Sequence, residues 1–418
     1  MTATAGSAGD AKDTGWGMLA LAWLLYFAFG LVSAALAPLV SPIRADLHLS
    51  YAEVGFVLGF WQLVYIAAAA PVGVVIDRLG TKRALLFGAL AVALSGFARS
   101  LAVDFVTLLA AVAIFGVGGP IISVGLPKLV AEWFTGGRRS LASGVYATGS
   151  AVGNVAALAL TNSLVVPLLG SWRAALQLYG VLSLLIAIGW LLLGRAAPTT
   201  ASGGRTAAPR ARARDVMAHP AVVPIVVIGF AGFLANHSLR NWLPQIFEAK
   251  GLSPATAGGL AAIPSLTGIV GSIVVLRLAG SWGRRPITVA MLAAIGLSSV
   301  TLAVTSGAPA ITAVVVFGFA AGAFTPLLLN TLMEIPDVGA GAMGAAAGLY
   351  FAVGEMGGFL GPTALGVLKD TAGSFQAGLF ALAAVMALML VPALRLNEDV
   401  RRRAPVAIGA SRDGAEPE

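Results

Sequence analysis

Gly73-Val74-Val75-Ile76-Asp77-Arg78-Leu79-Gly80-Thr81-Lys82-Arg83 interrupts two long apolar runs with a tight turn carrying three cations and one carboxylate. Gly80 supplies the permissive backbone that a short turn between helices needs. Asp77 lies where a carboxylate can face the positive N-terminal end of a neighbouring helix. Arg78, Lys82 and Arg83 belong on the side where a membrane protein collects its positive charge. Any positive-inside turn accounts for the cations, but not for Gly-x-x-x-Asp-Arg-x-Gly at this spacing.

Composition agrees with a turn set between membrane spans. The 418 residues are 58% hydrophobic and 11% charged, with mean hydropathy +0.91. Such a chain would leave a soluble globule with far too much exposed apolar surface. A spanning helix needs ~20 apolar residues, so this length holds about a dozen spans and no extramembrane domain large enough for a soluble enzyme. The net charge of +8 does not point to nucleic acid, because the cations lie mostly between apolar runs. With no cysteine, disulfides and thiolate metal sites are excluded. Neither Gly-x-x-x-x-Gly-Lys-Ser/Thr nor His-Glu-x-x-His occurs, so neither a nucleotide cofactor nor a zinc site is expected. The first apolar run follows a polar, small-residue segment without an Ala-x-Ala context, which reads as a retained span.

Spans are expected at about 16–40, 52–76, 84–98, 105–130, 141–164 and 174–193, then at about 221–247, 255–278, 287–305, 309–335, 341–368 and 375–394. This divides the chain into an N-terminal tail (1–14), a six-helix half (15–194), a basic linker (195–219), a second six-helix half (220–396) and a C-terminal tail (397–418). The linker sets Arg195, Arg205, Arg210, Arg212 and Arg214 among Ala, Gly, Pro and Thr, the composition of a flexible connector. With both tails and the linker in the cytoplasm, five of the 26 Lys and Arg fall outside (Arg44, Arg99, Arg173, Lys250, Lys369), two lie within spans (Lys128, Arg240) and the other 19 are inside. That imbalance sets the expected orientation.

The halves repeat. Leu49-Ser50-x-Ala52-x-x-Gly55 recurs as Leu252-Ser253-x-Ala255-x-x-Gly258, and Gly170-Ser171-Trp172 as Gly373-Ser374-Phe375, both at an offset of 203 residues. Gly80 maps to Gly283 at the same offset, with Thr81-Lys82 becoming Arg284-Arg285. The expected fold is therefore an all-α membrane protein of twelve helices in two parallel-repeat halves, with a site at their interface near the bilayer midplane.

The turn at 73–83 resembles the signature loop between helices 2 and 3 of the major facilitator superfamily of secondary transporters. The likeness extends over nearly the whole chain and includes Glu132-Trp133-Phe134 followed by Arg139. In the second half Gly280 stands where Asp77 stands in the first, an asymmetry common in the family. The resemblance implies alternating access, a cavity lined by spans 1, 2, 4, 5, 7, 8, 10 and 11, and a small-molecule solute as partner in a cytoplasmic (inner) membrane, without enzymatic activity and with the chain acting as a monomer. Leu126-Pro127-Lys128-Leu129-Val130-Ala131-Glu132-Trp133-Phe134, together with Trp242-Leu243-Pro244 and Gly251-Leu252-Ser253-Pro254-Ala255, is similar to the cyanate-permease and related small-anion group.

Ionisable groups inside spans are costly and functional by default. Glu355, in Gly354-Glu355-Met356-Gly357-Gly358-x-x-Gly361-Pro362, is the candidate for coupling to protons. A structural acid bonded across a glycine-rich face is the other role that fits it. Arg240, in Asn236-His237-x-x-Arg240-Asn241-Trp242-Leu243-Pro244, offers a planar fork to a carboxylate or other oxyanion. Trp242 and Pro244 read equally as an interfacial helix end from which Arg240 snorkels outward. His237 reads as a hydrogen-bonded cavity residue rather than a metal ligand. Tyr26, Gln62, Tyr65, Tyr146, Asn330 and Tyr350 join Asn236, His237 and Arg240 as candidate substrate contacts, with Trp61 and Asn154 beside them. Asp77, Arg78, Lys128, Glu132, Arg139 and Glu334 form a candidate gate, although solvated helix ends explain Glu132 and Glu334 as well.

Arg240 and Lys128, as the cations within spans, favour a small organic or inorganic anion moved together with protons. The alternative is a proton-coupled drug or toxic-compound efflux antiporter. Span 5 has Gly144, Gly149 and Gly153 but no Gly-Pro pair where the drug/proton antiporter subgroup carries one.

Overall fold

The computed structural model describes residues 6–196, 219, 221–335 and 339–396, and among them every regular element is a helix. Twelve of these helices are long and apolar enough to cross a membrane. α1 (Gly6–Ala34) breaks and resumes as a short helix (Val40–Leu47). α2 (Tyr51–Leu79), α3 (Thr81–Ser100), α4 (Phe105–Trp133) and α5 (Gly137–Leu160) follow, and α6 (Trp172–Leu193) closes the first half. α7 (Val222–Ala249), α8 (Pro254–Trp282), α9 (Arg284–Val304), α10 (Ala308–Met333), α11 (Gly339–Ala372) and α12 (Gln376–Leu388) form the second. Most of the expected 195–219 linker and the whole 397–418 tail lie outside the described residues. The expected polar tail at 1–14 is helical from Gly6, so α1 begins earlier than its apolar run.

The sequence repeat is also a repeat of backbone conformation. Ser50 caps α2 in a reciprocal box with Glu53, and Ser253 caps α8 by accepting from the Thr256 N–H. Gly80 (φ 78) and Gly283 (φ 92) make the same turn, Gly170 (φ 79) and Gly373 (φ 72) another, and His48 (φ 54) has its counterpart in Gly251 (φ 86). These are left-handed positions that suit glycine, which explains why the matching letters cluster at the turns. At α4 the cap is Asp104, whose carboxyl is held below the usual carboxylate range by the backbone N–H and then the hydroxyl of Thr107.

Small residues let the helices touch backbone to backbone, as lipid-embedded packing requires. Within the first half, a Cβ at Gly153 would lie 2.2 Å from the Phe27 carbonyl oxygen. Within the second, one at Gly357 would lie 2.3 Å from that of Phe230. Between the halves, Gly55 of α2 abuts the Pro362 carbonyl oxygen of α11 (2.4 Å from a built Cβ), and its repeat mate Gly258 of α8 abuts that of Leu158 in α5 (2.3 Å).

All of these contacts between halves lie towards one end of the molecule. At this far end Asp370 of α11 accepts from the backbone N–H groups of Tyr51 (3.1 Å) and Ala52 (2.7 Å), so one half caps a helix of the other. Ser41 donates to Glu248 at 2.5 Å, tying the short helix after α1 to α7. Tyr51 packs against both Trp242 and Phe375, with the Arg44 guanidinium 3.9 Å over its ring. At the opposite end, marked by the Gly80 and Gly283 turns, Cβ atoms built at Gly73, Gly144, Gly344 and Gly348 meet nothing. The halves are sealed at the far end and parted at the turn end.

Two expectations about the spans are corrected. Arg99, expected just beyond the end of span 3, is inside the last turn of α3 and 1% exposed. It donates to the Val32 carbonyl at 2.6 Å, close to where α1 breaks and its last carbonyls lose helical partners. Trp242 and Pro244 do not mark a helix end either, since α7 runs on to Ala249 with Pro244 inside it. Trp242 is fully buried and donates to the Pro362 carbonyl oxygen at 2.9 Å.

A Gly55→Leu variant places its side chain against backbone that cannot yield, so the far end should be unable to close. In this cysteine-free chain, a single cysteine at Thr363 should pass from slow to rapid maleimide labelling in that variant. Unchanged labelling would mean that the Gly55 contact does not hold the seal.

Candidate functional site

At mid-depth, where the seal gives way to the opening, three helices bring polar side chains together. Gln62 of α2 is fully buried, and its amide nitrogen lies 2.9 Å from His237 Nδ1 on α7 and 3.3 Å from the Gly358 carbonyl oxygen of α11. On the other face of the imidazole, Nε2 lies 3.9 Å from Glu355 Oε2. Phe233 stacks on the ring at 5.9 Å and Trp61 meets it edge-on at 6.0 Å. Gln62 thus joins the first half to two helices of the second.

Proline and glycine prepare this junction. Pro362 has no N–H to give the carbonyl four residues earlier, so the Gly358 oxygen is free to accept from Gln62. In the same way Pro244 leaves the Arg240 carbonyl without a helical donor. A Cβ at Gly358 would lie 3.0 Å from His237 Cδ2, 3.2 Å from Glu355 Oε2 and 3.4 Å from Gln62 Cγ. Gly358 is a site residue that the sequence reading quoted only as part of a glycine-rich face.

Arg240 lies one turn beyond Asn236 on α7, and its Nε is buried without a hydrogen bond in the protein. Asn236 Oδ1, Gln62 Oε1 and Glu355 Oε2 are likewise buried and unpartnered. No described carboxylate forms an ion pair with Arg240. It sits ~14 Å, nine residues of helix, short of the α7 end, so it has not snorkelled to a surface. Among the described residues no group of three or more His, Asp or Glu is arranged to hold a metal ion.

The first half supplies an aromatic wall. Tyr26 and Tyr146 lie 5.7 Å apart between ring centres, Trp61 and Tyr65 6.0 Å, and the Tyr65 hydroxyl is 2.8 Å from that of Ser123. Asn154 receives a hydrogen bond from Ser33 at 3.2 Å, and Asn330 is half-buried, with its backbone carbonyl accepting from Arg284. Tyr350 is fully buried under Gly229 and against Phe233, away from the opening.

The candidate gate residues pair inside each half. Lys128 meets Asp77 at 2.5 Å, so Asp77 faces a lysine rather than a helix N-terminus. Glu132 accepts from Thr81 at 2.7 Å, and Glu334 pairs with Arg284, the repeat mate of Thr81. Arg139 donates to the Phe134 and Ala131 carbonyls at the end of α4, and Arg78 is exposed at the end of α2. Glu132 and Glu334 are therefore bonded helix ends, and none of these pairs crosses between the halves.

The Major Facilitator Superfamily model matches residues 22–362. A hexuronate transporter of Bacillus subtilis (strain 168) is 24% identical over 372 residues, covering 82% of this chain and 85% of that protein. A 2-nitroimidazole transporter of Escherichia coli (strain K12) is 28% identical over 370 residues, covering 87% and 91%. Among solved structures, a bacterial homologue of the human lysosomal transporter Spinster, inward-facing and unoccupied, superposes with TM-score 0.71 at 17% identity, over 93% of this chain and 97% of that one, a likeness of fold.

Gly358→Ala, which pushes on all three side chains at once, should lower transport about tenfold or more while the protein still elutes as a folded species. Transport at the wild-type rate would show that the Gln62, His237 and Glu355 contacts do not matter.

Proposed function

This chain belongs to the major facilitator superfamily, a transporter rather than an enzyme, and on that premise we propose that it carries a small anion across the cytoplasmic membrane together with protons. The observation that carries the reading is Arg240, a guanidinium within the spans that has no carboxylate partner among the described residues. A buried charge without a counter-ion is costly, and an anionic solute entering from the open end would supply one. The hexuronate-transporting relative carries a solute of that charge. Glu355 and His237, 3.9 Å apart in the same cluster, are the groups that would take and release the proton.

Orientation follows from charge. Lys82, Arg83, Arg138, Arg139, Arg284 and Arg285 gather at the turn end, which the positive-inside rule puts in the cytoplasm. The conformation is then inward-open, with both chain ends and the linker cytoplasmic and the chain working as a monomer. Gln62, His237, Asn236 and Arg240 hold the solute, Tyr26, Tyr65 and Tyr146 line its path, and Asn330 and Tyr350 meet it only after the halves have moved. Asp77, Arg78, Lys128, Glu132, Arg139 and Glu334 stiffen the cytoplasmic ends on which the gate closes.

The aromatic wall and the 2-nitroimidazole relative favour a second reading, export of planar, weakly polar compounds. Proteoliposome uptake of small carboxylates and inorganic anions separates the two. Arg240→Ala should weaken anion binding about tenfold or more, the scale of a charge-assisted hydrogen bond. Glu355→Gln should keep binding and lose the acceleration by a pH gradient. Failure of every anion to bind, with binding of an aromatic drug instead, would overturn the anion reading.

A further inference from the structure

The geometry points to Gln62 as the residue that makes the seal between the halves answer to the proton on His237. This inference rests on the proton-coupled reading of the site, but its test does not depend on transport.

Gln62 has its orientation set by the backbone. Its nitrogen, not its oxygen, must face the Gly358 carbonyl, because two acceptors cannot bond. The same NH2 group therefore spends its second hydrogen on His237 Nδ1, which must accept. A neutral imidazole accepting at Nδ1 carries its proton on Nε2, the nitrogen facing Glu355. Both hydrogens of one amide on the first half are thus committed to two helices of the second.

A further proton, delivered by water from the open turn end, has only Nδ1 to occupy. Once there it turns Nδ1 from acceptor to donor, opposite an NH2 group that also donates. Gln62 can answer only by turning its amide over, which presents Oε1 to the ring and sets that oxygen against the Gly358 carbonyl. Either way a bond between the halves is lost at the inner edge of the far-end seal, one turn below where Gly59 abuts the Phe359 backbone. The charged and titratable groups about the imidazole act on the proton and not on this bond. They are Glu355 from α11, Arg240 one turn along α7, and Tyr65 of α2, which lies within electrostatic reach of Glu355. None of these groups bonds the ring to the other half, as Gln62 does.

The test reads the far end directly. Spin labels on Val103→Cys and Ala372→Cys, exposed far-end positions on opposite halves of a cysteine-free chain, report their separation by pulsed dipolar spectroscopy. From about pH 8 to about pH 4, a range that reaches well below the ordinary histidine value, the wild-type distribution should shift to longer distances. His237→Gln keeps an acceptor for Gln62 without a titrating group and should hold the short distance throughout. Gln62→Glu, which accepts from the doubly protonated ring, should reverse the response, so that acid tightens the far end. A merely structural Gln62 would weaken the seal at every pH without changing the sign.

A wild-type distribution that does not move with pH, or variants that move as the wild type does, would overturn the inference. Uptake measured on the same protein keeps the two readings apart. Uptake indifferent to a pH gradient, with the distance response intact, would remove proton coupling and leave the Gln62 switch. Gradient-driven uptake with a flat distance response would do the reverse.

Discussion

Backbone contact between the two halves at one end of the molecule is the constraint on which the rest depends. Lipid offers helices no hydrophobic reason to associate, so the seal has to come from close packing and from hydrogen bonds that would otherwise go unmade. Gly55 and Gly258 provide the first, and Asp370 on the α2 N-terminus and Ser41 on Glu248 provide the second. With that end shut and the other open, a polar cluster can sit at mid-depth in contact with water on one side only. A site reachable from one side at a time is what alternating access requires.

The two halves share a frame but not a chemistry. At the 203-residue offset, His237, Arg240 and Glu355 correspond to Ala34, Ala37 and Val152. The charged groups of the site therefore belong to the second half, and the first answers with aromatic rings and the Gln62 amide. Caps, turns and glycine contacts are duplicated because both halves must fold in the same way, while the site is free to differ because only one solute passes through it.

Much of the frame was legible from residue order. Hydropathy gave twelve spans, and glycines at turns that demand left-handed backbone gave the repeat. Glu355, His237, Gln62 and Arg240 could each be picked out as polar groups at membrane depth. What residue order does not carry is the direction in which a helix face points. The meeting of Gln62 with His237, 175 residues apart, depends on the rotation of α2 and α7 about their axes, and no spacing rule reports that. The burial of Arg99 was missed for a related reason. A cation at the end of an apolar run looks like a loop residue, unless a neighbouring helix breaks beside it and offers a carbonyl. The candidate gate pairs within each half because Lys128 and Glu132 stand one turn apart facing the α2–α3 turn, a neighbour in sequence order as well as in space.

Two prolines near the site have a consequence beyond their effect on helix shape. By withholding an N–H, Pro244 and Pro362 free the main-chain oxygens of Arg240 and Gly358, and the second of these orients the Gln62 amide, so part of the junction between the halves is built by the peptide backbone. Replacing side chains one at a time leaves those oxygens in place. A survey confined to the polar side chains would thus overlook two rings, with no polar side-chain atom of their own, that decide which main-chain oxygens are left to accept.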